Sequence, residues 1–185
     1  ILEVELNAPL LPSETTEFSM EFMGQVPDLV RRAGKNSRDG IEYSMAQWYP
    51  KMCEYDSDGW NADPYTGREF HGVWGNFDVK IRIDKEYTVA ASGYLQNSND
   101  IGKGYSKRKK AKSKKGKVEW HFIAPNVHDF TWSADKNYIH DTYPGPNDVT
   151  LHFFYKNDPT IIDNWKKLQP YTAKMMDYFF DLGKS

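Results

Sequence analysis

Residues 77–83 read Phe-Asp-Val-Lys-Ile-Arg-Ile, and this alternation constrains the fold more than any other stretch. Phe77, Val79, Ile81 and Ile83 fall on one face of an extended chain, and Asp78, Lys80 and Arg82 on the other. A helix would scatter the same apolar side chains around its circumference. The segment is therefore a half-buried strand, and a half-buried strand needs partners.

The same period recurs along the chain. It is present in Leu2, Val4 and Leu6; in Phe18, Met20 and Phe22; in Ile41, Tyr43 and Met45; and in Val149, Leu151, Phe153 and Tyr155. Residues 87–95, 118–124 and 127–132 are further strand candidates, the last two separated by Pro125-Asn126. Gly, Pro, Asn and Asp punctuate the intervals, with a polar loop at 31–40 and a long irregular excursion at 54–75. The aliphatic content is modest, but 12 Tyr, 10 Phe and 6 Trp supply large buried area and favour strands. Short strands joined by turns, with little helical periodicity, predict a mainly β fold, an antiparallel β-sandwich.

The pattern changes at the C-terminal end. Ile161, Trp165, Leu168, Thr172, Met175, Met176, Phe179 and Phe180 recur at spacings of three and four, the signature of an amphipathic helix. Asp158-Pro159 marks its start and Gly183 its stop, and Pro170 is expected to kink or split it. The expected organisation is a sandwich domain at 1–157 and, at 158–185, a helix whose wide apolar stripe lacks enough following chain to cover it. The 185 residues suffice for one domain with its own core.

Cys53 is the only cysteine, so no internal disulfide forms. No apolar run reaches the roughly 18 residues of a membrane span. Ile1 rather than Met opens the sequence, and an upstream segment removed by processing or by design is expected.

Catalytic signatures are missing from the sequence. It has no His-Glu-x-x-His, Cys-x-x-Cys, glycine-rich phosphate loop or Gly-x-Ser-x-Gly. His71, His121, His128, His140 and His152 form no close pair at metal-ligand spacing on a helix. His128 has Asp129 beside it, but neighbours on a strand point to opposite faces, which favours a structural role. Glu54, Asp56, Asp58 and Asp63 have some flavour of a calcium loop, yet the rest of the twelve-residue pattern is absent and a solvated acidic turn is the simpler reading. No catalytic and no metal-binding residue is assigned.

The net charge of −2 is unevenly spread. Residues 103–117 hold nine Lys/Arg and no acid, against 15 basic and 26 acidic residues elsewhere. Such a run grips phosphate or heparin-like polyanions in some proteins. Only Tyr105 in it is aromatic, so the stacking platform of a nucleic-acid binder is missing and a solvated hairpin extension is the simpler reading. No nucleic-acid partner is expected.

Two dense segments carry a resemblance. Gln47-Trp48-Tyr49-Pro50-Lys51-Met52, Tyr55-Asp56, Gly59-Trp60, Tyr65, Gly67-Arg68-Glu69-Phe70 and Gly75-Asn76-Phe77-Asp78-Val79 occur in the order seen in the N-terminal domain of bacterial M1-family zinc metallopeptidases. The run from Asn126-Val127-His128-Asp129-Phe130 to Thr131-Trp132-Ser133-Ala134-Asp135 is similar to a second stretch of that branch. The match spans roughly Leu2 to Gly183; the basic loop follows it only in outline.

The resemblance implies a saddle-like, non-catalytic N-terminal domain of an aminopeptidase, in a secreted, periplasmic or cell-envelope bacterial protein. It implies that zinc and the general-base glutamate, with His-Glu-x-x-His and Gly-x-Met-Glu-Asn, belong to a following catalytic domain, the expected partner of this chain. The helix at 158–183 would open that domain, and this chain alone would be inactive. The resemblance also points to Gln47, at the position of a family Gln or Glu that reaches the active site and binds the free α-amino group of the peptide substrate. An amide oxygen suits an ammonium donor; a local role for Gln47, satisfying neighbouring backbone, stays open.

The alternative class is a stand-alone carbohydrate- or protein-binding module. Trp48, Tyr49, Trp60, Tyr65 and Trp74 would form its platform if exposed, whereas strand aromatics ordinarily face the core.

Overall fold

The computed structural model describes residues 1–28, 32–62, 72–107 and 111–183. The strands in chain order are β1 (Ala33–Lys35), β2 (Tyr43–Met45), β3 (Tyr55–Asp56), β4 (Gly59–Trp60), β5 (Gly75–Asp84), β6 (Thr88–Ala91), β7 (Tyr94–Leu95), β8 (Lys117–Val127), β9 (Trp132–Asp135), β10 (Tyr138–Pro144) and β11 (Thr150–Lys156). A short helix, α1 (Ser98–Ile101), precedes β8, and a long one, α2 (Pro159–Leu182), ends the chain. The fold is mainly β with one long C-terminal helix.

Among the described residues these strands pair antiparallel. One sheet has the order β1-β2-β9-β6 and another β5-β8-β7, while β10-β11 and β3-β4 form two hairpins. The alternating segment at 77–83 is the centre of β5. Its apolar face meets that of β8 in register: Phe77 opposite Ala124, Val79 opposite Phe122, Ile81 opposite Trp120 and Ile83 opposite Val118. Val118, Trp120, Phe122 and Ala124 are buried, and Val89 and Ala134 of the four-stranded sheet close the same core with Phe130 and Ile101.

The run at 87–95 is two strands, not one. β6 belongs to the four-stranded sheet and β7 to the three-stranded one. Gly93 makes the corner at φ 79°, where an added Cβ would lie 2.4 Å from the Ile123 carbonyl oxygen. Only glycine combines that left-handed backbone with so close an approach.

Three other expectations change. Residues 2–6 and 18–22 form no strand; Leu2, Val4, Phe18 and Phe22 are exposed. Alternation makes a strand possible, but pairing makes it, and no sheet edge receives these segments. Residues 128–131 are a loop, so β8 continues through Pro125-Asn126 and the next strand starts at Trp132. The loop expected at 31–40 contains β1, and the excursion at 54–75 holds the small β3-β4 hairpin.

Helix α2 starts and stops where its signals lie. Asp158 caps it, accepting from Thr160 N at 2.9 Å, Pro159 takes the first turn and Gly183 follows its end. Pro170 lies inside an unsplit helix. The first half of α2 docks on β10-β11: Trp165 stacks on Tyr155 with 5.2 Å between centroids, and Gln169 donates to Asp141 at 3.2 Å. Beyond Pro170 the helix has little cover, and Tyr171, Met175, Tyr178, Phe179 and Leu182 are all more than half exposed.

An ion pair ties β11 to the four-stranded sheet. Asp135 is fully buried and accepts from Lys156 Nζ at 2.8 Å, from Glu42 N at 3.0 Å and from Asn137 N at 2.7 Å. Among the described residues no helix is long and apolar enough to cross a membrane.

Candidate functional site

The two segments singled out in the sequence meet in space at Asp129. Residues 46–52 leave β2, and residues 128–131 connect β8 to β9, β2's neighbour in the sheet. The pairing of β2 with β9 in register, Met45 opposite Trp132, therefore brings Gln47 and Asp129 together across 82 residues of chain.

The Asp129 carboxylate is fully engaged. One oxygen accepts from the Tyr49 hydroxyl at 2.9 Å and from Phe130 N at 2.8 Å. The other accepts from Gln47 Nε2 at 3.1 Å and from Lys51 Nζ at 2.9 Å. Burial alone raises this carboxyl, but the Lys51 and Tyr49 hydrogen bonds and the Lys51 charge outweigh it and hold it below the ordinary carboxylate value. The Tyr49 phenol is pushed up to about 12, first by burial and then by the bond to Asp129. A carboxylate with four donors has no lone-pair direction left for a metal or a proton. Asp129 is a clamp.

What it clamps is Gln47. This residue is exposed and sits at φ 55°, a left-handed conformation that costs a non-glycine residue about 1–2 kcal/mol. The side-chain NH₂ is tied to Asp129, which restrains the amide. Trp48 steadies the turn from behind, its Nε1 donating to the Phe130 carbonyl at 3.1 Å. The partner of the Gln47 amide nitrogen is the Asp129 side chain rather than neighbouring backbone. Sequence reasoning missed the Asp129 hub.

His128 takes no part in this network. It lies in the loop against Trp74, with ring centroids 5.4 Å apart. Asp56 closes the β3-β4 turn on itself, accepting from Asp58 N at 2.8 Å and Asn61 Nδ2 at 2.9 Å, as a solvated acidic turn does. Asp63 and Tyr65 lie outside the described residues, as do residues 67–70 of the resemblance. Among the described residues no group of three or more His, Cys, Asp or Glu is placed to hold a metal ion.

Of the expected platform, Trp48 and Tyr49 turn inward. Trp48 packs on Trp132, and Tyr49 on Phe77 at 5.7 Å. Trp60 and Trp74 are exposed, and Trp60 meets Tyr55 edge to face at 66°.

No protein-family model, curated protein or solved structure matches this chain.

A second feature escaped the sequence. His140 and His152, on facing strands of the β10-β11 hairpin, share a hydrogen bond of 2.8 Å between Nε2 and Nδ1. His140 Nδ1 lies 3.1 Å from the Lys103 carbonyl oxygen. A carbonyl only accepts, so Nδ1 carries the proton and His152 Nδ1 is the donor to His140 Nε2. Burial holds both imidazoles below their ordinary value, and the Lys103 carbonyl opposes this at His140 without reversing it. The pair anchors the start of the basic loop to the hairpin.

Proposed function

We propose that this chain is the non-catalytic N-terminal domain of a zinc-dependent M1-type aminopeptidase and forms one wall of the parent enzyme's substrate cleft. The observation that carries the reading is the held Gln47 side chain. A strained backbone and an amide tied at its nitrogen are what a residue needs to offer its oxygen to an ammonium group in one fixed direction. Asp129 adds negative charge beside the amide, though Lys51 offsets it.

Helix α2 supports the same reading. Its bare apolar half suits the start of a following domain better than a solvent-facing end. In this account zinc and bond cleavage belong to the following domain, and this chain contributes shape, exclusion of water and Gln47. A secreted or cell-envelope location goes with the proposal.

Gln47→Ala in the protein expressed from the full reading frame is the test. KM for substrates with a free α-amino group is expected to rise about tenfold, the worth of one lost hydrogen bond to a charged group. KM unchanged in a folded variant contradicts the role of Gln47.

A stand-alone carbohydrate-binding module is the second reading, favoured by exposed Tyr55, Trp60 and Trp74. The Tyr55 and Trp60 rings, inclined at 66°, share no flat surface for a sugar to stack on.

A further inference from the structure

The described parts of the basic loop are held against the body, and Lys112, Lys114 and Lys117 line one cavity. Tyr105 donates to the Val89 carbonyl at 3.2 Å, Ser106 to the Ser98 carbonyl at 2.9 Å, and Lys103 Nζ to the Glu86 carbonyl at 2.9 Å. Lys112 N donates to the Asp100 carbonyl at 2.7 Å, and its Nζ pairs with the Asp100 carboxylate at 2.5 Å. The Tyr105 ring packs against Trp120, His140, His152 and Phe154, so the loop's only aromatic is turned inward.

The loop ends in a tight hairpin. Lys114 and Lys117 exchange backbone hydrogen bonds around Lys115 at φ 52° and Gly116 at φ 77°. Two successive left-handed residues match the two-residue turn that normally takes Asn-Gly or Asp-Gly. A lysine at the first position is sterically the poorer choice, and it puts a third cation between two others. This turn keeps charge where its backbone would prefer a small polar residue.

Beside the turn lies a surface cavity of about 360 Å³, lined by Arg82 of β5, by Lys112, Lys114 and Lys117, and by Asn97, Asp100, Ile101 and Glu119. Asp100 neutralises Lys112, and Glu119 is the cross-strand neighbour of Arg82. Lys114 and Lys117 are left without a paired acid among the described contacts. Uncompensated cations around a concavity focus a positive field on anything that enters it.

We propose that this cavity and the Lys114–Lys117 turn bind a sulfated linear polysaccharide. Its sulfates would sit against Lys114, Lys117 and Arg82, and its hydroxyls would donate to Glu119. Two features favour this occupant over other polyanions. The lining mixes cations with a carboxylate acceptor, which suits a ligand carrying both anions and hydroxyl donors. No exposed aromatic accompanies the cations, so nucleobases gain no stacking. The site is separate from Gln47 and does not depend on the peptidase reading.

The test is binding of heparin to the chain by titration calorimetry at about 50 mM and about 200 mM salt. Unsulfated dextran, single-stranded DNA and phosphatidylserine vesicles serve as comparators. The variants are Lys114→Gln/Lys117→Gln and Lys115→Asn; the second removes a cation while relaxing the turn, so it folds at least as well as the parent. Binding is expected to heparin alone among the four, or at least tenfold tighter than to the others. It should weaken at the higher salt and weaken about tenfold or more in the double variant. No heparin binding at the lower salt, binding by the folded double variant equal to the parent's, or DNA or vesicles binding as tightly as heparin would overturn the proposal.

Discussion

Trp165 lies flat on Tyr155, with ring planes 6° apart and centroids separated by 5.2 Å. This contact and the Gln169–Asp141 bond fasten α2 to the β10-β11 hairpin. The Tyr155 hydroxyl also donates to Asp141, so one carboxylate receives both the sheet and the helix. Trp165→Ala is expected to cost about 2 kcal/mol, the sum of lost area and a lost aromatic pair. Chemical denaturation measures this, and a loss of protection in amide exchange along 159–169 should accompany it.

Lys156→Met leaves Asp135 buried without its cation. Breaking one side of a buried pair typically costs about 3–5 kcal/mol, and this variant should fall in that range. Asp135 has backbone donors from Glu42 and Asn137 that still expect an acceptor. Adding Asp135→Asn keeps one acceptor oxygen and removes the charge, so the double variant should recover part of the loss.

The His140–His152 pair makes stability depend on pH in a defined window. Both folded-state pKa values lie below the ordinary imidazole value, so the unfolded chain binds more protons through that range. The stabilisation is complete above about pH 6.5 and falls away as acid brings the solution down through the folded values. Melting temperature should drop between pH 7.5 and pH 5.5, and His152→Asn should flatten the drop. The same slope in the variant would assign it to other groups.

The bare half of α2 should make the isolated chain associate. Leu168, Met175 and Leu182 are spaced by seven, as are Tyr171 and Tyr178, which gives one seam along an exposed face. Light scattering at rising concentration should show growth in mass, and Met175→Lys/Phe179→Lys should abolish it. A clean monomer at high concentration contradicts this reading of the helix.

Much of the fold was legible where one face of an element is dry and the other wet. β5 and β8 announce themselves because burial is one-sided, and α2 by its apolar stripe, with the Asp158, Pro159 and Gly183 signals marking its ends. β10 was not legible: Tyr138–Asp141 are all half-buried, so no period separates its faces. Residues 2–6 and 18–22 fail the other way, with a good period and no edge to join. Gly93 turns one apparent strand into two because the decisive contact, with Ile123, is thirty residues away in sequence. Gln47 was singled out by resemblance alone. Its tie to Asp129 is a tertiary fact, and the only local hint was that both residues sit in the two most distinctive segments.

On the proposed function, this chain belongs to a peptidase whose chemistry lies elsewhere. An aminopeptidase assay with added zinc, run on this chain and on the protein expressed from the full reading frame, tests it most directly. The account predicts hydrolysis of free-amino substrates by the longer protein and none by this chain. Silence from both, or activity from this chain alone, would contradict it.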